Sequence, residues 1–145
     1  MIVLRMTILD TNVLSELTKP APSLEVTQWV RSRGPARELY LTTITVAEVL
    51  FGIELLPKGK RRETLLVDAE ETFTADFAGR ILPFDEAAAR AFPEIAALRR
   101  VRGRPISLFD AQIAAIAKAN GATLATRNTA DFEGCGVRLV NPWRH

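Results

Sequence analysis

Short apolar runs along the chain alternate with longer segments in which apolar residues recur at helical spacing. The first run, residues 2–9, is rich in aliphatic and β-branched side chains and ends at Asp10, which is typical of a strand buried in a parallel sheet. Further runs with strand character cover residues 39–43, 80–83, 122–126 and 137–140. Because helical segments separate these runs, the pattern predicts a mainly parallel sheet of about five strands with helices on both faces.

Residues with start and stop preferences bound the helical segments. Helical spacing extends over about residues 13–18, 24–33, 45–56, 61–77, 85–100 and 108–120. Ser23 and Ser107 are predicted N-caps, Gly34-Pro35 closes the second helix, and Asn120-Gly121 ends the last one. No repeat or long linker divides the chain, so we expect residues 1–145 to form one domain.

Four acidic residues lie where the predicted strands end or where a helix follows them. Asp10 ends the first strand, Glu48 follows the second by five residues, and Asp131 follows the fourth by five. Asp110 lies at the start of the alanine-rich last helix. Ligands of open parallel sheets bind beyond the carboxyl ends of the strands, so we expect these side chains to reach one edge of the sheet. Asp10 is also suited to a turn or a helix cap.

The other three acids have structural explanations too. Thr45-x-x-Glu48 matches a helix capping box, and Ser107-x-x-Asp110 imitates one with the shorter carboxylate. In that interpretation Glu48 and Asp110 only satisfy helix N-termini, for about 1 kcal/mol each. Asp131 is equally consistent with a solvated loop acid.

The rarest residues exclude several kinds of active site. The only histidine, His145, is the last residue of the sequence, and the only cysteine, Cys135, lies between two glycines. A catalytic triad or a cysteine–histidine pair would depend on that terminal imidazole, and a structural zinc site would need more soft ligands. A disulfide within the chain is impossible. The remaining candidates for chemistry are therefore carboxylates.

Carboxylates that converge need a positive partner. Two negative charges about 4 Å apart repel by roughly 4 kcal/mol at an effective dielectric of about 20, so a cluster must bind protons or a cation. Magnesium and manganese prefer oxygen ligands, and one or two such ions can activate water and neutralise the charge that develops on a phosphodiester. The acids thus favour a Mg²⁺ or Mn²⁺ site that hydrolyses phosphodiester bonds.

Four segments carry the acids in a recognisable context. They are residues 6–14 (MTILDTNVL), 42–48 (TTITVAE), 107–114 (SLFDAQIA) and 124–132 (LATRNTADF). In this order they resemble the four motifs of PIN-domain ribonucleases, and in particular the VapC toxins of VapBC toxin–antitoxin modules. The FitB-like branch of that family is also similar in residues 77–85 (FAGRILPFD) and in an Asn-Pro-Trp ending at residues 141–143.

The resemblance implies a three-layer α/β/α PIN-like domain and a metal-dependent endoribonuclease toxin of a type II toxin–antitoxin system. Such a toxin would hydrolyse phosphodiester bonds in RNA, with structured RNA such as tRNA as the expected substrate, using one or two Mg²⁺ or Mn²⁺ ions. A cognate VapB- or FitA-like antitoxin would block its site. The resemblance further implies a homodimer or a higher hetero-oligomer with that antitoxin, and DNA bound only through the antitoxin.

The resemblance also assigns roles by position. It makes the catalytic and metal-binding acids Asp10, Glu48, Asp110 and Asp131. The fourth position is open between two residues, because Asn128 directly follows a Thr-Arg pair and Asp131 stands three residues later. We favour Asp131 because of its charge. The expected polar contributors are Thr11, Asn12 and Asn128.

Basic residues add weaker indications. The net charge of +2 and a sequence pI near 9.0 are too mild to indicate a nucleic-acid partner by themselves. Arg102 and Arg104, in the loop before the Asp110 helix, and Arg127, beside the fourth motif, are the expected RNA contacts. Arg99 and Arg100 are expected to be solvated residues at a helix end, where they complement the helix dipole.

Other functions match the sequence less well. A phosphatase with an aspartyl nucleophile needs a second acid two residues after the first, where this chain has Asn12, and a receiver-like domain needs a lysine that the corresponding loops lack. One alternative function remains open. In it the chain is a catalytically weak PIN-like partner that acts mainly by binding an antitoxin and supporting DNA binding by the complex. Trp29 and Trp143 are expected in the core or in an interface rather than against RNA bases.

The N-terminal segment lacks the long apolar core of a signal peptide, since Arg5 and Asp10 interrupt it. No apolar stretch approaches the roughly 18 residues of a membrane span. The sequence therefore predicts a cytoplasmic protein without a membrane partner.

Overall fold

Five short strands form one parallel sheet in the computed structural model, which describes residues 5–33 and 36–145. The strands are β1 (Thr7–Leu9), β2 (Leu39–Thr42), β3 (Ile81–Leu82), β4 (Thr123–Ala125) and β5 (Leu139–Val140). Their order is β3-β2-β1-β4-β5, and every neighbouring pair is parallel. The predicted parallel sheet is therefore confirmed. Two predictions, a strand that begins at residue 2 and a second helix closed by Gly34-Pro35, fall outside the described residues.

Helices connect the strands in the described part of the chain. They are α1 (Thr11–Leu17), α2 (Leu24–Ser32), α3 (Thr43–Glu54), α4 (Lys60–Glu71), α5 (Glu86–Val101) and α6 (Leu108–Asn120). The helix predicted over residues 61–77 is α-helical only as far as Glu71, because Thr72–Asp76 forms a π-helical turn. Short 3-10 turns occupy Ala36–Glu38 and Thr129–Phe132. Over the described ranges, no helix combines the length and the apolar character needed to cross a membrane.

Apolar side chains pack against both faces of the sheet. Ile8 and Leu124 lie in one buried cluster with residues of α5 and α6, whereas the adjacent Leu9 and Ala125 lie in a second cluster with residues of α1, α2 and α4. Successive residues of a strand point to opposite faces, so the two clusters are the two sides of one sheet. The expected three-layer α/β/α arrangement is thereby confirmed. Each fully buried leucine or isoleucine contributes roughly 1.5–3 kcal/mol, which holds the strand ends firmly in place.

Two helix starts differ from the predictions. Helix α3 begins at Thr43 rather than at Thr45, because the Thr42 hydroxyl accepts a hydrogen bond from the Thr45 backbone N–H at 3.2 Å. The Thr45-x-x-Glu48 segment is therefore not a capping box, and the capping explanation of Glu48 is wrong. Ser23 precedes α2 as predicted, but its side chain makes no capping hydrogen bond.

Candidate functional site

The four acids singled out from the sequence line one cavity at the carboxyl edge of the sheet. Asp10 follows β1, Glu48 lies on α3, Asp110 is in the first turn of α6, and Asp131 is in the 3-10 turn after β4. All four border a cavity of about 490 Å³, which we call the acidic cavity. The topology favours this meeting because β1 and β4 are paired in parallel and end at the same edge.

Asp10 is held by three hydrogen-bond donors, and only 5% of the residue is exposed. Its Oδ1 accepts from the Thr11 backbone N–H at 2.8 Å, while its Oδ2 accepts from the Asn12 amide at 3.0 Å and from the Thr126 hydroxyl at 2.8 Å. An ionised carboxylate has about four acceptor sites, so the network orients Asp10 and leaves acceptor capacity for another ligand. Burial raises the pKa of Asp10 despite these donors, and the charge of Asp131 adds to the increase.

Glu48 is connected to Asp10 through Thr11. The Thr11 hydroxyl donates to Glu48 Oε1 at 2.9 Å and lies 3.0 Å from the Thr45 hydroxyl. Because Thr11 has a single hydroxyl proton, Thr45 is the donor in the second contact. Burial raises the pKa of Glu48, and the negative charges of Asp10 and Asp110 raise it further. Thr11 therefore links two acids, one through its backbone and the other through its side chain.

Asp110 lies at the N-terminus of α6 and is half-buried. The Ser107 hydroxyl accepts from the Asp110 N–H at 3.2 Å, which confirms the predicted cap. Burial raises the pKa of the Asp110 carboxyl, its side-chain contact with Ser107 offsets part of that rise, and the charges of Asp10 and Asp131 increase it. The acidic cavity thus contains three carboxyls whose ionisation is opposed by burial and by neighbouring negative charge.

The acidic cavity has the donor chemistry that a hard divalent cation needs. Its acids are oxygen ligands, and a cation among them would lower the pKa values that burial and mutual repulsion raise. Among residues 5–33 and 36–145, no three histidine, cysteine, aspartate or glutamate side chains form a group that could hold a metal ion by themselves. Magnesium commonly takes one or two carboxylates and keeps several waters, so the residues present fit that kind of site.

The two candidates for the fourth position, Asn128 and Asp131, are both exposed and both line the acidic cavity. The Asn128 backbone N–H donates to the Thr126 hydroxyl at 3.1 Å, and that hydroxyl in turn donates to Asp10. The charge of Asp131 raises the pKa of both Asp10 and Asp110. Asp131 is therefore electrostatically coupled to two of the other acids.

A fifth acid, Glu16, lines the same cavity, and the sequence motifs do not single it out. Its Oε2 accepts from the Ser23 backbone N–H at 3.0 Å, and its Oε1 lies 3.1 Å from Lys19 Nζ. Both partners lower the pKa of Glu16, and the hydrogen bond from the Ser23 N–H has the larger effect. Glu16 lies four residues after Asn12 on α1, so both residues are on the same face of the helix. This spacing could have identified Glu16 as a cavity residue from the sequence.

Of the three expected RNA contacts, Arg127 lines the acidic cavity and the other two do not. Arg104 Nη1 lies 3.3 Å from a carboxylate oxygen of Glu133. Arg102 is exposed, and its Nη1 lies only 2.9 Å from the position that a Cβ atom on Gly134 would occupy. Both arginines therefore lie along the loop that follows the 3-10 turn of Asp131, outside the cavity lining.

Arg99 contradicts the expectation of a solvated helix end, because only 5% of it is exposed. Its Nε donates to the Arg104 carbonyl at 2.6 Å, and its Nη1 donates to the Glu133 carbonyl at 2.7 Å. One buried guanidinium thus connects the loop before α6 with the loop after the 3-10 turn. These are the segments that adjoin Asp110 and Asp131.

Arg99→Met should lower the free energy of unfolding by about 3 kcal/mol, because two carbonyls lose charged donors worth roughly 1.5–3 kcal/mol each while the apolar stem is kept. Urea unfolding followed by circular dichroism measures the change. Arg100→Met is the matched control, since Arg100 is exposed and its loss should cost less than about 0.5 kcal/mol. Equal stabilities of the two variants would contradict the connecting role of Arg99.

The raised pKa of Asp110 predicts how stability varies with pH in the metal-free protein. A carboxyl with a higher pKa in the folded state binds its proton more tightly when folded, so its contribution to stability is lost as pH rises from its usual value of 3.8 through the raised value. Asp110→Asn cannot ionise, and its stability relative to wild type should increase with pH across that window. Urea unfolding in chelator from about pH 4 to about pH 8 measures the free energy of unfolding of both proteins. If the value for Asp110→Asn minus that for wild type stays constant or decreases as pH rises, the prediction is wrong.

Trp143 also lines the acidic cavity and is partly exposed, and its buried part packs against the core cluster that contains Trp29. Trp29, by contrast, is 1% exposed and lies in the core as expected. The position of Trp143 just after β5 could have predicted its place at the cavity, because β5 ends at the same edge of the sheet as β4.

The chain is similar to known proteins in sequence and in structure. A family model described as the PIN domain matches residues 7–134, which include all four acids. The plasmid stability protein StbB of Pseudomonas syringae pv. tomato is 44% identical over 138 residues, 95% of this chain and 99% of that protein. The VapC ribonuclease Y4jK of Sinorhizobium fredii is 42% identical over 95% of this chain and 98% of that protein. A tRNA(fMet)-specific endonuclease VapC of Shigella flexneri is 30% identical over 93% and 96%.

Solved structures share the fold. The structure of FitAB bound to an IR36 DNA fragment contains a chain with a TM-score of 0.88 and 41% identity, covering 97% of both chains. A toxin–antitoxin complex from Klebsiella pneumoniae contains a chain with a TM-score of 0.66 and 26% identity, covering 94% of this chain and 97% of that one. The similarity therefore extends over nearly the whole length of the molecules compared.

Proposed function

The chain belongs to the PIN-domain family, and on that basis we propose that it is the endoribonuclease toxin of a toxin–antitoxin pair. Relatives at 42% and 30% identity are named VapC ribonuclease and tRNA(fMet)-specific endonuclease VapC. The observation that carries the proposal is the acidic cavity, where four carboxylates from separate elements border one space at the edge of the sheet.

We propose that the acids of the cavity bind one or two Mg²⁺ or Mn²⁺ ions. The proposed ligands and catalytic residues are Asp10, Glu48, Asp110 and Asp131. Such an ion, when bound, activates water and neutralises negative charge on the phosphodiester. Thr11 and Asn12 hold Asp10 in one orientation, so little reorganisation is needed when the cation and the substrate bind. The Thr11 hydroxyl donates to Glu48 Oε1, which orients a second of the proposed ligands.

RNA is the proposed substrate, and structured RNA such as tRNA is the proposed class. The tRNA-specific name of one relative supports this choice. Arg127 lines the acidic cavity and supplies positive charge for a phosphate beside the acids. We further propose that residues 1–145 form a single PIN domain that acts in the cytoplasm, where tRNA is found.

A VapB- or FitA-like antitoxin is the proposed partner, with DNA bound through the antitoxin in a homodimeric or larger assembly. The complexes named FitAB and toxin–antitoxin among the structural neighbours support this. An apolar groove of about 180 Å³ lies between α1, α3 and α4, and its apolar lining includes Leu14, Val49, Ile53, Leu65 and Phe73. A groove of this kind suits the apolar face of an amphipathic antitoxin segment.

Cleavage of RNA by the purified toxin, after its antitoxin is removed, tests the proposed function. A folded tRNA should be cut at discrete positions when Mg²⁺ or Mn²⁺ is present, and adding the antitoxin back should stop the reaction. No cleavage, together with normal antitoxin binding and normal DNA binding by the complex, would support the catalytically weak partner instead.

The fourth ligand position can be decided by comparing two variants. Asp131→Asn should weaken Mn²⁺ binding roughly tenfold, which corresponds to about 1.4 kcal/mol, because it removes a charge that is coupled to Asp10 and Asp110. Asn128→Ala removes no charge and should have a smaller effect. Calorimetric titration with Mn²⁺ ranks the two variants, and the reverse ranking would assign the position to Asn128.

A further inference from the structure

A second cavity adjoins the acidic cavity at the same edge of the sheet. Its volume is about 460 Å³, and we call it the side cavity. The residues that line both cavities are Arg127, Asn128, Asp131 and Trp143. Arg144 and Glu25 line only the side cavity. Because the two cavities share a boundary, a chain-like ligand can occupy both of them at once.

Arg127 and Trp143 form a stacked pair on that boundary. The Arg127 Cζ lies 4.9 Å from the centroid of the indole ring, within the range of a cation–π interaction. Trp143 is partly exposed. Over the described ranges, no carboxylate forms an ion pair with Arg127. An accessible indole and an available guanidinium are the groups with which proteins stack bases and bind phosphates in single-stranded RNA.

Three hydrogen bonds fix the stacked pair relative to the acids. The Arg127 N–H donates to Asn12 Oδ1 at 3.2 Å, the Asn141 amide donates to the Arg127 carbonyl at 3.4 Å, and the Trp143 N–H donates to Asn141 Oδ1 at 2.9 Å. Asn12 also donates to Asp10 at 3.0 Å, so one side chain connects the pair to the buried acid. The backbone of both residues is therefore held in position before any ligand binds, and the cation–π contact joins their side chains.

We propose that the Arg127–Trp143 pair is a binding subsite for the nucleotide that adjoins the scissile phosphate, an inference that rests on the proposed ribonuclease function. The base stacks on the exposed part of the Trp143 indole, and the Arg127 guanidinium contacts the phosphate. Arg144 supplies a second positive charge in the side cavity, while Glu25 and Asp131 supply two negative ones. This balance suits one phosphate and one base rather than a run of phosphates. Stacking tolerates any base, so the subsite has little sequence preference.

Tryptophan fluorescence tests the subsite, because the chain has two tryptophans and Trp29 is buried. The full chain carrying Asp110→Asn, freed of antitoxin, is titrated with a four-nucleotide RNA and with the same backbone lacking bases. The RNA should quench the emission saturably, and the abasic backbone should bind roughly tenfold more weakly without quenching. Adding Trp143→Phe should remove the quenching. Quenching that persists in this variant would overturn the proposal.

Steady-state cleavage gives a second measurement on the otherwise wild-type chain. Trp143→Ala should raise KM for RNA roughly tenfold and should affect KM more than kcat, while Trp143→Phe should restore most of the affinity. If Trp143 had only a structural role, its replacement would lower the unfolding temperature and would weaken the binding of RNA and of the abasic backbone equally. An unchanged KM, or quenching by the antitoxin but not by RNA, would overturn the proposal. The fluorescence titration measures binding without turnover, so failure of the subsite can be distinguished from failure of the ribonuclease function.

Discussion

Asp10→Asn should reduce the rate of RNA cleavage by at least about a thousandfold, which corresponds to roughly 4 kcal/mol of transition-state stabilisation. Asp10 is the most enclosed of the four acids, and three donors already orient it toward the acidic cavity. The asparagine removes the negative charge that helps to hold a divalent cation. Single-turnover cleavage of a folded tRNA at saturating enzyme measures the loss, because product release does not enter that rate.

Glu70→Gln is the matched control for this variant, because it makes the same change of charge at an exposed position on α4. It should cleave at the wild-type rate. Asparagine at position 10 can place an amide donor opposite the amide of Asn12, so the unfolding temperatures of both variants are measured beside their activities. A folded Asp10→Asn variant that cleaves within tenfold of wild type would remove Asp10 from the catalytic set.

Chelation of divalent ions should abolish cleavage completely, and Mg²⁺ or Mn²⁺ should restore it. The reason is the charge of the cavity, where burial and neighbouring acids raise the pKa values of Asp10, Glu48 and Asp110. An ion that binds only the folded protein should also stabilise it, by about 2.7 kcal/mol at a concentration 100 times its Kd. Cleavage assays and thermal unfolding, each with chelator and with added ion, measure the two effects.

Asp110→Asn is the control that separates site binding from general effects of salt. The variant removes one proposed ligand, so the ion should raise its unfolding temperature much less than that of wild type. Na⁺ at matched ionic strength should stabilise neither protein in this way. Full activity in chelator, or equal stabilisation of both proteins by the divalent ion, would contradict a metal site built from these acids.

The placement of the acids could be predicted from the sequence because it follows from topology. An apolar run that ends at Asp10, followed by strands and helices in alternation, leads to parallel strands whose carboxyl ends share one edge. Local signals were equally reliable at the two ends of α6. Ser107 caps α6, and Gly121 ends it with a φ of 62°, a conformation that glycine adopts readily.

Other features depend on contacts between distant segments, which a single sequence does not reveal. Thr45 and Glu48 have the spacing of a capping box, yet Thr42 takes the cap because β2 ends there. Arg99 has the position of a solvated residue at a helix end, but one of the two carbonyls that it binds belongs to Glu133, 34 residues away, which approaches only after folding. Trp143 likewise reaches the acidic cavity because β5 lies next to β4 in the sheet.

A crystal of the protein soaked in manganese, with anomalous scattering recorded, tests most directly whether these acids form the metal centre of a ribonuclease. We predict anomalous density inside the acidic cavity, in contact with Asp10 or Asp110 and with ordered water completing the coordination. The same soak of Asp10→Asn should show weakened or absent density there. Manganese bound only elsewhere on the surface, or a cavity that stays free of manganese at concentrations that support cleavage, would contradict the proposed centre.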